Sequence, residues 1–216
     1  MDAVRQFGER NDRIHIPNVR EHPSSSSGPV VALIQKTRAL ENICRRPLVV
    51  GVFQNAEIDT LLSTIDEVGL DLVQFHGEEG IEVYAKCTVP AIQVMHMDSS
   101  TVLDNANSLT KNAVESLLGR DPIAILLDTS VKGIKGGTGI TFDWTVAKAI
   151  QSVGIPVIVA GGLNPENVED LIVNIGPWGV DVSSGVEERL GKKDMSKVVA
   201  FISNARKAAE HASKMF

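Results

Sequence analysis

The chain has 216 residues, 43% apolar and 22% charged, enough for one domain with a sizeable buried core. A formal net charge of −6, with no basic stripe interleaved with aromatics, argues against nucleic acid as a partner. No apolar run approaches the ~20 residues of a membrane span, and the charged opening "MDAVRQFGERNDR" is unlike a secretory signal; a soluble, cytoplasmic protein without membrane contact is expected.

The first 46 residues differ in kind from the rest. They hold eight Lys/Arg and five Asp/Glu, a balance of +3, against thirteen and twenty-two, or −9, over the remainder. Within them "RIHIP" (13–17) reads as a short strand, "SSSSG" (24–28) as a polar loop, and 29–42 has a helical period. Residues 1–46 are therefore expected to form a divergent N-terminal segment carrying one β/α unit, and 47–216 a second, regular region.

From Pro47 onward, short β-branched runs alternate with longer segments of helical period. Strands are predicted at 47–53, 70–76, 91–97, 123–129, 156–162 and 179–185. Helices are predicted near 56–68, 79–86, 101–118, 142–152, 165–175 and 194–213. The strands lack strict polar alternation, as parallel strands covered on both faces do. Such a succession gives a parallel sheet, either doubly wound or closed into a (β/α)8 barrel. Special residues stand at the C-terminal ends of many strands: Asn55, His76, Asp128, Gly161, Gly162, Ser183 and Ser184. An open sheet concentrates ligand residues at one switch point, whereas a barrel gathers every strand end at one mouth. The spread favours an α/β barrel of the parallel TIM type. Only seven β/α units are legible, so the first unit is expected to be absent.

Several stretches carry chemistry. "LLDTSVKGIKGGTGITFDW" (126–144) stops an apolar run on Asp128 and enters a lysine- and glycine-rich loop; Trp144 beyond it reads as the seat of a helix. "AGGLNPENV" (160–168) sets Gly161 and Gly162 at a strand end, then Asn164 as an N-cap with Pro165 in the first helical position. "GVDVSSGVEE" (179–188) repeats the theme with Ser183, Ser184 and Gly185, and a short helical turn is expected near Val186. Each is by itself a tidy βα turn. Two successive Gly/Ser-rich loops after the last two strands also match the usual phosphate site of the barrel class, and exposed backbone N–H groups suit an anion. Cys44 and Cys87 show no CxxC pattern and read as reduced thiols. His76 and His96 stand in no metal-ligand spacing, so neither a metal nor another cofactor is expected.

Together "VGVFQN", "LDLVQFHGEE", "LLDTSVKGIKGGTGITFDW", "AGGLNPENV" and "GVDVSSGVE" resemble phosphoribosylanthranilate isomerase, the tryptophan-pathway (β/α)8 barrel, in order and spacing over about residues 47–205. The resemblance implies an Amadori rearrangement of a small phosphosugar substrate, with Asp128 as general acid. It implies phosphate binding by Gly161, Gly162, Ser183, Ser184 and Gly185, and substrate contacts from Arg20, His76 and Gly137. It also implies a monomer or a domain fused to, or associated with, other tryptophan-pathway domains. One element departs from the family. Its first strand ends in a Lys-x-Cys-Gly motif whose cysteine is the general base, and no such motif occurs among these 216 residues. Cys44 and Cys87 do not stand at strand ends and do not replace it. Impaired turnover is therefore expected. The alternatives are an inactive barrel that binds a phosphorylated ligand and a truncated fragment of a multifunctional tryptophan-pathway enzyme. Another phosphosugar barrel enzyme would lack the combination of "GGTG" with "DVSSGVE".

Overall fold

The computed structural model describes residues 29–43, 47–98, 121–130, 144–152 and 154–215. These fall into two units, one running to Val94 and including 121–124, the other taking the described residues from Met95 and from Ile125 onward. The predicted strand 13–17, loop 24–28 and helix 101–118 lie outside the described residues.

In the first unit, helix α1 (Pro29–Ile43) precedes strand β1 (Val50–Phe53), helix α2 (Ile58–Val68), strand β2 (Leu72–Phe75), helix α3 (Ile81–Lys86) and the first residues, to Val94, of strand β3 (Ala91–Asp98). Both strand pairs are parallel, with Val50 opposite Leu72 and Val73 opposite Ala91. Every residue of β2 is buried, which is why that run shows no alternation. Helix α2 turns Leu61 and Ile65, one turn apart, into a core with Leu70, Val73, Phe75 and Tyr84. Fully burying a side chain of this size stabilises by ~1.5–3 kcal/mol, so that face fixes the helix. The helix stops at Gly69, whose φ of 69° places it in the left-handed region while its N–H donates to the Ile65 carbonyl. On α1 the Thr37 hydroxyl donates to the Ile123 carbonyl at 2.7 Å, and Lys36 pairs with Asp121. The Ile123 N–H donates to the Ala91 carbonyl at 2.8 Å.

In the second unit, strand β4 (Ala124–Ser130) is followed by helix α4 (Thr145–Ser152), strand β5 (Val157–Val159), helix α5 (Val168–Ile175) and strand β6 (Gly179–Val180). β4, β5 and β6 pair in parallel, Ile125 facing Val157 and Ile158 facing Gly179. Within each unit strand neighbours follow chain order, β1 to β3 and β4 to β6, with helices in between. Lys148 N–H donates to the Trp144 carbonyl, so Trp144 seats the first turn of α4 as expected. A 3-10 turn (Ser184–Val186), an antiparallel pair β7 (Glu187–Arg189) and β8 (Lys192–Lys193), and helix α6 (Met195–Met215) complete the unit.

The last two parallel strands are shorter than the sequence predicts. β5 leaves the ladder after Ala160, because Gly161 and Gly162 take φ of 80° and 66°. β6 makes its last ladder bond from Asp181 N–H to Val159, and Ser184 and Gly185 lie in the 3-10 turn rather than in strand. The hairpin at 187–193 was not expected.

Candidate active site

Asp128 sits near the C-terminal end of β4, directly after the fully buried Ile125, Leu126 and Leu127, and is itself buried. His96, exposed near the end of β3, brings a ring nitrogen within 4.8 Å of an Asp128 carboxylate oxygen. A carboxyl group set at the edge of an apolar ladder, beside a solvent-facing imidazole, is placed to give or take a proton.

The two Gly/Ser loops are built against each other. Asn164 accepts at its side-chain oxygen from the N–H groups of Glu166 and Asn167, at 2.9 and 3.0 Å. The Asn167 side-chain oxygen accepts from Asn164 N–H at 2.9 Å, a reciprocal cap. Asn164 thus caps this turn as the sequence predicts, although regular α-helix begins only at Val168. Asn167 Nδ2 also donates to the Gly162 carbonyl at 3.0 Å, which ties the Gly161–Gly162 turn to the helix start. Gly185 packs on this turn so closely that a Cβ there would run into the Leu163 carbonyl oxygen. Only glycine lets the Ser183–Gly185 backbone lie there. Of the residues predicted to hold phosphate, Gly161, Gly162, Ser184 and Gly185 therefore belong to two abutting loops, with Ser183 at the entry of the second.

Sequence reasoning missed what holds that entry. The Lys193 ammonium donates to the Ser183 carbonyl at 2.8 Å and to Glu187 Oε1 at 2.9 Å. This hydrogen bond from Lys193 holds the Glu187 carboxyl below its ordinary range. The only sequence signal was opposite charge on the two arms of "EERLGKK" around a glycine.

In the first unit, His76 directly follows β2, its N–H donating to the Phe53 carbonyl at 2.8 Å. Asn55, at the end of β1, has φ of 50° and accepts at Oδ1 from Glu78 N–H at 2.8 Å. The organiser of these ends is Glu79, also missed. It is 4% exposed, and its carboxylate accepts from Asn55 N–H at 2.7 Å and Gly77 N–H at 3.0 Å. Cys87 follows α3, its Sγ 3.2 Å from the Val89 carbonyl, and burial pushes its thiol up, against thiolate formation. Arg20, Cys44, Gly137 and the loop Lys132–Gly139 lie outside the described residues.

A family model described as N-(5'-phosphoribosyl)anthranilate (PRA) isomerase matches residues 16–204. The chain belongs to this family. It is 40% identical over 205 residues to the tryptophan biosynthesis protein TRP1 of Phytophthora nicotianae, covering 93% of this chain and 37% of that protein. It is 39% identical to the multifunctional tryptophan biosynthesis protein of Phycomyces blakesleeanus, over 80% of this chain and 23% of that one. The chain thus spans well under half of those two relatives. Against the N-(5'-phosphoribosyl)anthranilate isomerase of Myxococcus xanthus, identity is 35%, covering 95% of this chain and 91% of the relative. Among solved structures, the isomerase of Thermotoga maritima is similar with a TM-score of 0.61 and 33% identity, covering 81% of this chain and 80% of that one. The parallel β/α architecture of TIM type expected from the sequence is that of the isomerase family. Among the described residues no helix is long and apolar enough to cross a membrane.

Proposed function

We propose that the chain is a cytoplasmic phosphoribosylanthranilate isomerase domain whose general acid is Asp128 and whose phosphate site is the pair of abutting loops. The observation that carries this reading is the fit of Gly185 against Leu163, which brings together two glycine-bearing turns in the unit that also holds Asp128. Backbone N–H groups of Gly161, Gly162, Ser184 and Gly185, with the Ser183 and Ser184 hydroxyls, suit a phosphate dianion, whose oxygens only accept. Arg20, His76 and Gly137 serve as further substrate contacts. Residues 47–216 carry units three to eight of the barrel, and 1–46 a divergent second unit.

In the reaction, the Asp128 carboxyl gives its proton to the ribose ring oxygen as the C1′–O bond breaks, and the anthranilate nitrogen supplies the electron pair that forms the Schiff base. A base then takes the C2′ proton, and that electron pair forms the C1′–C2′ double bond of an enolamine. C1′ gains a proton as the C2′ hydroxyl loses one, which leaves the ketone and no net change in atoms. A positioned group contributes ~10²–10⁴ to each such transfer.

The 216 residues contain no Lys-x-Cys-Gly, and Cys87 is disfavoured as a thiolate. The reading therefore includes phosphate and substrate binding with weak turnover by this stretch alone, fused or associated tryptophan-pathway domains being its natural setting. The test is fluorescence-followed consumption of phosphoribosylanthranilate by this chain beside a version with a family-type first β/α unit joined upstream. Activity in the second and little in the first supports the proposal. Equal, near-normal activity in both refutes the part concerning the base, and inactivity of both despite native folding refutes the isomerase reading.

A further inference from the structure

We infer that Lys193 is a positioning residue for the phosphate loop, set there by the β7–β8 hairpin. The inference rests on the phosphate reading of Ser183–Gly185 given above. After Asp181 the chain leaves the parallel ladder, so among the described residues no sheet bond aims Ser183. A side chain ten residues on does so instead. The Lys193 ammonium reaches the Ser183 carbonyl at 2.8 Å and its hydroxyl oxygen at 3.4 Å. Its third donor goes to Glu187 Oε1 at 2.9 Å, which fixes the ammonium from the opposite arm of the hairpin. Glu187 is itself held. Its Oε2 accepts from Gly191 N–H at 3.3 Å, and its carbonyl accepts from the Lys197 ammonium at 2.9 Å on α6. Asp194 closes the brace, its N–H donating to the Val186 carbonyl at 2.8 Å while its carboxylate caps α6 through Ser196 N–H at 2.8 Å.

The consequence is chemical. A carbonyl at Ser183 is an acceptor, and beside a phosphate oxygen it would repel. With Lys193 drawing the Ser183 carbonyl toward itself, the following N–H groups of Ser184 and Gly185 are left to face the anion. The charge of the ammonium adds to the field that a dianion meets. Neighbouring Lys192 has the same charge but pairs with the exposed Glu188 and makes no bond to the loop.

The test measures binding of reduced 1-(o-carboxyphenylamino)-1-deoxyribulose 5-phosphate, by fluorescence, and of its phosphate-free counterpart. Lys193→Met should weaken the phosphorylated probe about three- to tenfold, the loss expected for one charge-assisted hydrogen bond at a partly exposed position. Affinity for the phosphate-free probe should not change. Lys193→Arg should restore most of the loss, since it keeps a donor for Ser183. Lys192→Met, which removes the same charge, should stay within about twofold. Equal loss for Lys192→Met and Lys193→Met would overturn the inference in favour of bulk charge. Equal weakening of both probes by Lys193→Met would overturn it in favour of general disorder of the unit. Unchanged binding in Lys193→Met, with wild type binding the phosphorylated probe preferentially, would overturn the inference alone. Wild type that does not distinguish the two probes would overturn the phosphate reading and this inference with it.

Discussion

Gly185→Ala is the sharpest single perturbation of the two abutting loops proposed to hold phosphate. The added Cβ would overlap the Leu163 carbonyl oxygen, lie 2.8 Å from the Leu163 carbonyl carbon and 3.1 Å from Asn164 Cα. Carbon contacts are comfortable at ~3.5–4.0 Å, and all three neighbours are backbone, so the two loops must part by on the order of 1 Å. The Leu163–Asn164 side yields poorly, because Asn164 is locked into the reciprocal cap with Asn167. Opening that cap would add ~1 kcal/mol to the ~1–3 kcal/mol of an overpacked site. For a chain of this size each kcal/mol lowers Tm by ~2–4 °C, so a drop of roughly 4–16 °C is expected by calorimetry. Parting the loops also moves the Ser184 and Gly185 N–H groups away from those of Gly161 and Gly162. Phosphate-induced shifts of those four amides should therefore shrink together in an NMR titration with inorganic phosphate. A variant whose Tm stays within about 1 °C of wild type and whose amides respond to phosphate as before would refute the reasoning.

Two further outcomes follow from the buried and bridging acids. Glu79→Gln leaves one oxygen where two accept from Asn55 and Gly77, so one part-buried N–H faces an amide NH2. A loss of ~1–3 kcal/mol is expected from the denaturant midpoint, against almost none for the solvent-exposed Glu78→Gln. Glu187 titrates below its ordinary range because Lys193 donates to it. Its contribution to the hairpin is whole above the ordinary glutamate value of ~4.3 and is lost as pH falls through the lower folded value. A carboxyl NMR titration should place its midpoint below that of exposed glutamates, and Lys193→Met should return it toward them.

The readable parts of this chain were those in which burial dictates the residue type. β2 and the Ile125–Leu127 run of β4 are buried throughout, so their β-branched and leucine-rich stretches announce parallel strands without help from tertiary detail. Asp128, Gly161, Gly162 and Gly185 stood out because each breaks such a run at a strand end. The ends of β5 and β6 were misjudged for a related reason. Apolar and glycine residues continue past the last ladder bond, and the left-handed φ of Gly161 and Gly162 ends the strand before the composition changes. The β7–β8 hairpin was hidden because its residues are charged, short and mostly exposed, which by period alone is a loop. Glu79 and Lys193 were hidden for another reason. Their roles come from backbone groups brought to them by folding, Asn55 to Glu79 and Ser183 to Lys193. Sequence spacing carries no trace of such a partner.

The central claim, that Asp128 supplies the proton which opens the ribose ring, is tested most directly by Asp128→Asn. The change is made in the version carrying a family-type first unit, with phosphoribosylanthranilate consumption followed by fluorescence under single-turnover conditions. Asparagine keeps the size of the side chain and lacks a transferable proton. The rate should fall ~10²–10⁴-fold while affinity for the reduced phosphorylated product analogue and the Tm stay close to those of the parent. A rate within a few-fold of the parent, with folding and binding intact, would contradict the assignment and move the acid to another residue.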